Sequence, residues 1–199
     1  MTTLLDHAVP RGADRRNPWP PHSTSEPDTG GPRVLVAFAS RHGSTREIAA
    51  ALARALQRTG SGRHPHVRIV LAPVQRRPDP RDFDAVVLGS PVYADGWLES
   101  ARSYADAVAA HLCGRPTWLF SSGLTTQSAE EVRRIGPSIG ARDHRIFGGR
   151  LEPRLLSAAE RRDWPVGGAE DVRNWSAVRE WSAQIVTELA RRPAASGAG

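Results

Sequence analysis

The chain has 199 residues, 39% of them apolar and 24% charged, enough to bury one core of ordinary globular proportions and too much to leave it wholly disordered. Its single cysteine, Cys113, excludes an internal disulfide and a cysteine-based metal cluster. All 27 Lys/Arg positions are arginine; against 21 carboxylates they give +6, a mild excess scattered among acids, which does not amount to a nucleic-acid footprint.

Residues 1–32 carry Pro10, Pro18, Pro20, Pro21, Pro27 and Pro32 among Gly, Ser, Thr and charges, with no apolar period, so a disordered tail is expected. The first residues, Met1 to Asp6, have no basic start and no apolar stretch, so no secretory signal is expected and the cytoplasm is the expected location. The longest apolar run of the body, Val34 to Ala39, is far short of the roughly 20 residues of a membrane helix. It reads instead as a strand buried on both faces. Ile48, Leu52, Ala55 and Leu56 then fall on one helical face, with Ser44 and Glu47 spaced as a capping box. His66 to Leu71 reads as a second strand, and Pro78-Asp79-Pro80 as a break. Ala85 to Leu88 is a third strand ending at Gly89. Leu98, Ala101, Ala105, Val108 and Leu112 mark a helix closed by Gly114, and Pro116 to Phe120 a fourth strand. A helix is expected over 129–135, a fifth strand over 145–147 before Gly148-Gly149, and a last helix on Trp175, Val178, Ile185 and Leu189. Residues 193–199 read as a frayed end.

Strands alternating with helices predict an α/β chain: a doubly wound, five-stranded parallel sheet in a three-layer α/β/α sandwich over 33–192. In such sheets ligands sit beyond the carboxyl ends of the strands, where the strand order reverses. The loops after the first, third and fourth strands are therefore the places to look for chemistry.

The first of these, Ser40-Arg41-His42-Gly43-Ser44-Thr45, joins a strand directly to a helix. A helix N-terminus offers unpaired N–H groups and about half a positive charge, which suits a phosphate. Gly43 lets the backbone close around an anion, and Arg41 adds a charge-assisted contact. The alternative is that Ser44 only caps the helix; capping by Ser44 and anion binding through Thr45 are compatible. No Gly-x-x-x-x-Gly-Lys and no Gly-x-Gly-x-x-Gly occurs, so triphosphate and dinucleotide loops are excluded. No acid ends the first strand and no cysteine stands in its loop, which argues against a phosphoacceptor and a cysteine phosphatase.

Val34 to Thr45, together with Phe83-Asp84-Ala85-Val86-Val87-Leu88-Gly89-Ser90-Pro91-Val92-Tyr93, resembles the flavodoxin family. Residues 140–151 and 171–181 resemble, within it, the branch related to menaquinone-dependent protoporphyrinogen dehydrogenase. The likeness spans about 33–190 and implies the flavodoxin-like fold and noncovalent FMN. It implies a phosphate cradle of Ser40, Arg41, His42, Gly43, Ser44 and Thr45, with His42 standing where threonine is common. It runs Ser90, Pro91, Val92, Tyr93, Ala94, Asp95, Gly96 and Trp97 along the flavin ring, and Ser121, Ser122, Gly123 and Leu124 along its other edge. Tyr93 and Trp97 have flat faces for stacking, each contributing about 0.5–1.5 kcal/mol beyond area, or else they only seal the end of the sheet. Asp95 suits a cap for the helix near Leu98.

His64, His66, His111 and His144 show no metal spacing; each reads as a satisfied or solvent-facing histidine. Cys113 reads as a small packing residue. Trp164, Trp175 and Trp181 read as core or interface aromatics. No nucleophilic triad and no carboxylate pair is supported, so no catalytic side chain is assigned and no metal is expected.

Three functions remain. The resemblance implies an FMN oxidoreductase acting on a porphyrinogen or quinone-type substrate. A flavodoxin-type electron carrier working with a redox partner is the second, though residues 33–190 hold 22 arginines against 17 acids, which disfavours a simple carrier, suits an anionic substrate or an anionic membrane surface, and leaves peripheral membrane contact open. The third is a flavin-free binding module. Residues 152–170 are short beside the apolar-basic insertion of the quinone-linked relatives.

Overall fold

The computed structural model describes residues 31–59, 66–93, 96–123, 135–150 and 171–191. The expected tails lie almost wholly outside these, as do residues 129–134 of the helix expected over 129–135, Trp164, and the whole stretch 151–170.

Five strands, β1 (Arg33–Phe38), β2 (Arg68–Pro73), β3 (Ala85–Tyr93), β5 (Thr117–Gly123) and β6 (Asp143–Gly148), form a parallel sheet in the order β2-β1-β3-β5-β6. Between β3 and β5 in sequence, the two-residue β4 (Gly96–Trp97) folds back antiparallel on the end of β3, pairing Val92 with Trp97 and Tyr93 with Gly96. The helices are α1 (Ser44–Thr59), α2 (Glu99–Leu112) and α3 (Trp175–Ala190).

The layers follow from alternation along the strands. Val34, Val36 and Phe38 of β1 join Val87, Trp118 and Phe120 in one cluster, against Ile48, Leu52 and Leu56 of α1 and Val178, Trp181 and Ile185 of α3. Leu35 and Ala37, with Val86, Leu88 and Leu119, face the other way, against Ala101, Tyr104, Val108 and Leu112 of α2. This is the expected three-layer α/β/α fold, with a sixth, short strand that the sequence did not suggest.

Several boundaries move. β2 begins two residues later than expected because its register is dictated by β1, from Arg33 opposite Arg68 to Phe38 opposite Pro73. It lies at the sheet edge, which leaves Val70 and Leu71 exposed. β3 and β5 run further than their apolar cores, because ladder pairing continues through Ser90–Ser121 and Pro91–Ser122. Cys113 is exposed at the end of α2, not packed as expected. Trp181 is core and donates its indole N–H to Asp143 Oδ2 at 2.8 Å, whereas Trp175 lies 37% exposed at the start of α3. Asn174 caps that helix by accepting the Ala177 N–H at 3.0 Å. No helix among the described residues is long and apolar enough to cross a membrane.

Candidate functional site

At the carboxyl end of β1, the first intrahelical bond of α1 runs from the Glu47 N–H to the Gly43 carbonyl at 3.1 Å, so Gly43 holds the cap position. Its φ of +87° is the left-handed region, and nothing lies within 4 Å of the Cβ it lacks. Glycine is thus needed here for conformation, not for space. The register shift cancels the expected Ser44–Glu47 capping box, because Ser44 is already inside the helix. Ser40 takes over: its Oγ accepts the N–H of Gly43 at 3.1 Å and of Arg46 at 3.4 Å. Ser44 Oγ instead accepts the Arg150 N–H at 2.8 Å. The backbone N–H groups of Ser44 and Thr45 have no partner among the described residues. Two adjacent donors at the positive end of a helix are a ready anion site.

The Thr45 hydroxyl does not point to that opening. It is buried and shares a 2.7 Å hydrogen bond with Ser122 Oγ from β5. What Thr45 offers an anion is its N–H.

The expected loop after the third strand is largely strand. Ser90, Pro91, Val92 and Tyr93 belong to β3, Gly96 and Trp97 to β4, and Ala94 and Asp95 lie outside the described residues. Ser90 is buried; its hydroxyl donates to the Pro91 carbonyl at 2.9 Å and accepts the Leu98 N–H at 3.1 Å, which fixes the return of the hairpin into α2. The cap position of α2 is Leu98, with no side-chain cap, in place of the expected Asp95. Trp97 is 2% exposed and lies in the α2-side core, its indole N–H donated to Ser121 Oγ at 2.8 Å. Its ring presents no open face, which corrects the expectation that it stacks on a ligand. Tyr93 is half-buried: the Arg41 guanidinium carbon lies 5.9 Å from its ring centre and the His42 ring meets it edge-on at 6.4 Å.

From β5, Ser121 and Ser122 are buried, the Gly123 carbonyl accepts the Gly149 N–H at 3.1 Å, and Leu124 lies outside the described residues. Ser121 Oγ also lies 2.9 Å from His144 Nε2, so His144 is a satisfied histidine, and burial holds its pKa below the ordinary value.

Sequence reasoning missed a third group. Beyond β6, Arg150 forms an antiparallel bridge with Asp171, and the Val172 N–H reaches the Gly149 carbonyl at 3.0 Å. Arg173 grips Asp171 with Nε on Oδ1 at 2.8 Å and Nη2 on Oδ2 at 2.6 Å, and sends Nη1 to Glu47 Oε2 on the first turn of α1. Hydrogen bonding from Arg173 pulls the Asp171 carboxyl down to about 2. Glu47 stands 126 residues from Arg173, so no local spacing could reveal that pairing. Among the described residues, no three His, Cys, Asp or Glu side chains are grouped to hold a metal.

The flavodoxin-domain family model matches residues 35–163. The chain belongs to the flavodoxin-domain family. No curated protein matches it. Among solved structures it is similar to a flavodoxin from the domain Archaea, at 14% identity and TM-score 0.56 over 79% of this chain and 98% of that one. It is similar to flavodoxin 1 from Bacillus cereus, at 16% identity and TM-score 0.55 over 79% and 99%. An oxidoreductase from Corynebacterium diphtheriae gives 15% and 0.57 over 81% and 98%. At such identities the likeness is one of fold.

Proposed function

We propose that this flavodoxin-domain chain binds FMN at the carboxyl end of its sheet and works as a redox protein on a quinone-type substrate or a small anionic one. The observation that carries the reading is the pair of N–H groups of Ser44 and Thr45, unpaired among the described residues. They stand at the start of α1, between β1 and β3, where the strand order reverses. The residues fit the phosphate end of FMN: two donors with no partner among the described residues, the Ser44 hydroxyl, a glycine cap and the Arg41 charge of the same loop. Ser40 and His42 complete that cradle.

The flavin supplies reversible one- and two-electron transfer when bound; the protein supplies position and electrostatics. Tyr93 is the aromatic ring available to it, with Arg41 and His42 against it. Ser90, Pro91, Val92, Ala94, Asp95, Gly96, Ser121, Ser122, Gly123 and Leu124 complete the lining in this reading, and Trp97 braces it from the core. The branch related to menaquinone-dependent protoporphyrinogen dehydrogenase is the proposed kinship, and 33–192 the proposed domain.

The charge balance favours this over a simple carrier. A groove of about 220 Å³ between α1 and α3 is lined by Arg54, Arg58 and Arg179 with Trp175, a surface that suits an acidic partner. Titration with FMN, read by quenching of flavin fluorescence, is expected to saturate at one equivalent. The protein, reduced anaerobically with dithionite, is then expected to be reoxidised by a soluble naphthoquinone. No quenching removes the flavin reading; quenching without reoxidation leaves the electron carrier.

A further inference from the structure

We propose that Arg173 is a positioning residue for the phosphate end of the site, acting through Glu47; the inference rests on the FMN reading above. Glu47 is the acid of the first turn of α1, the turn that begins with Ser44 and Thr45. A carboxylate there complements the helix dipole, but it repels a dianion sought by the same N-terminus. The protein cancels it. Arg173 Nη1 meets Oε2, and Arg150 Nη2 lies 3.5 Å from Oε1.

Arg173 is itself rigidly held. Its side chain is 6% exposed, its fork is gripped by Asp171, its own N–H reaches Asp171 Oδ1 at 3.1 Å, and its guanidinium lies 4.7 Å from the centre of the Trp175 ring. Asp171 bridges to Arg150, whose N–H is accepted by Ser44 Oγ. Ser44, Arg150, Asp171, Arg173 and Glu47 therefore close a ring through one turn of α1. The ring needs close backbone contact: a Cβ on Gly148 would lie 1.9 Å from the Val172 carbonyl oxygen. It has two consequences for an anion. The charge of Glu47 is neutralised beside it. The Ser44 oxygen is occupied by an N–H, so the Ser44 proton is left to be donated to the ligand.

The test compares FMN with riboflavin, which has the same ring and no phosphate. Arg173→Gln is expected to weaken FMN about tenfold and riboflavin less than about twofold. Arg173→Lys is expected to keep most of the FMN affinity. Adding Glu47→Gln to Arg173→Gln is expected to restore it, because a neutral side chain no longer repels the phosphate; a merely structural contact would not be mended by breaking its other half. Inorganic phosphate gives a second readout: it is expected to raise the melting temperature of the natural protein more than that of Arg173→Gln. Equal loss of both flavins, no loss, or no rescue overturns the proposal. If Arg173→Gln fails to fold, Glu47→Gln alone decides: FMN binding unchanged or tighter supports the proposal, and weaker binding overturns it. If the natural protein binds neither flavin, the FMN reading fails, and the phosphate comparison still decides the role of Arg173.

Discussion

The carboxyl end of the sheet is finished in two unlike ways. On the α1 side it is closed by charges: Glu47, Arg150, Asp171 and Arg173, joined at the rim, with both carboxylates partly open to water. On the α2 side it is closed by neutral groups: the buried Trp97 indole and Ser121 hydroxyl in one chain with the half-buried His144 imidazole, and Ser90 on the Leu98 N–H. The division follows solvation. A buried neutral donor needs only one partner, whereas a buried ion needs several and gains little net stability from them. The buried chain can therefore act as the rigid floor of a site, and the charged rim can set the field of an anion-binding end.

The comparison predicts unequal costs. Trp97→Ala removes a fully buried ring and the donor to Ser121, and is expected to cost about 3–5 kcal/mol in urea unfolding, with little dependence on salt. A loss below about 1 kcal/mol would mean that Trp97 is not the floor. Asp171→Ala breaks the rim; with its carboxylate partly exposed, it is expected to cost about 1 kcal/mol at low ionic strength and less at high salt. A salt-independent loss would place the contribution in packing instead. Tyr93 stands at the seam, touched by Arg41 and His42 from the α1 side. Tyr93→Ala is expected to weaken FMN by about 0.5–1.5 kcal/mol while leaving unfolding midpoints nearly unchanged. Unchanged flavin affinity would remove Tyr93 from the ring site.

The two closures also differ in how far they could be read from the sequence. The apolar runs of β1, β3 and β5 and the period of Ile48, Leu52 and Leu56 follow local rules, and they set the layers and the strand order. The α1 loop could be singled out as a candidate anion site because a strand running into a helix start through a glycine is a local pattern. The side-chain assignments within it were not. Ser44 and Glu47 have capping-box spacing, yet the cap fell on Gly43 and both side chains went to residues beyond β6. Trp97 looked like a stacking face because nothing in its neighbourhood announces a two-residue strand that folds it inward, or a partner in Ser121. Long-range pairing decided each of these positions, and single-sequence spacing carries no term for it.

The smallest effect separates the two regions by pH. Burial lowers the His144 pKa below its ordinary 6.5, opposed by the nearby Asp143 charge. Below that ordinary value the unfolded chain takes up a proton that the native chain resists, so stability is full above 6.5 and declines as pH falls from there toward the lowered native pKa. Asp171 behaves the opposite way in origin and the same way in sign. Its native carboxyl sits at about 2 against an ordinary 3.8, so the rim keeps its full contribution above 3.8 and loses it only between there and about 2. On acidification the neutral floor is therefore expected to respond first and the charged rim last. The Trp97 indole N–H resonance should shift at a pH below 6.5 where the Arg173 Nε–H resonance is still unmoved, and His144→Asn should remove the first response while sparing the second. If the Arg173 signal moves first, the assignment of neutral floor and charged rim is reversed.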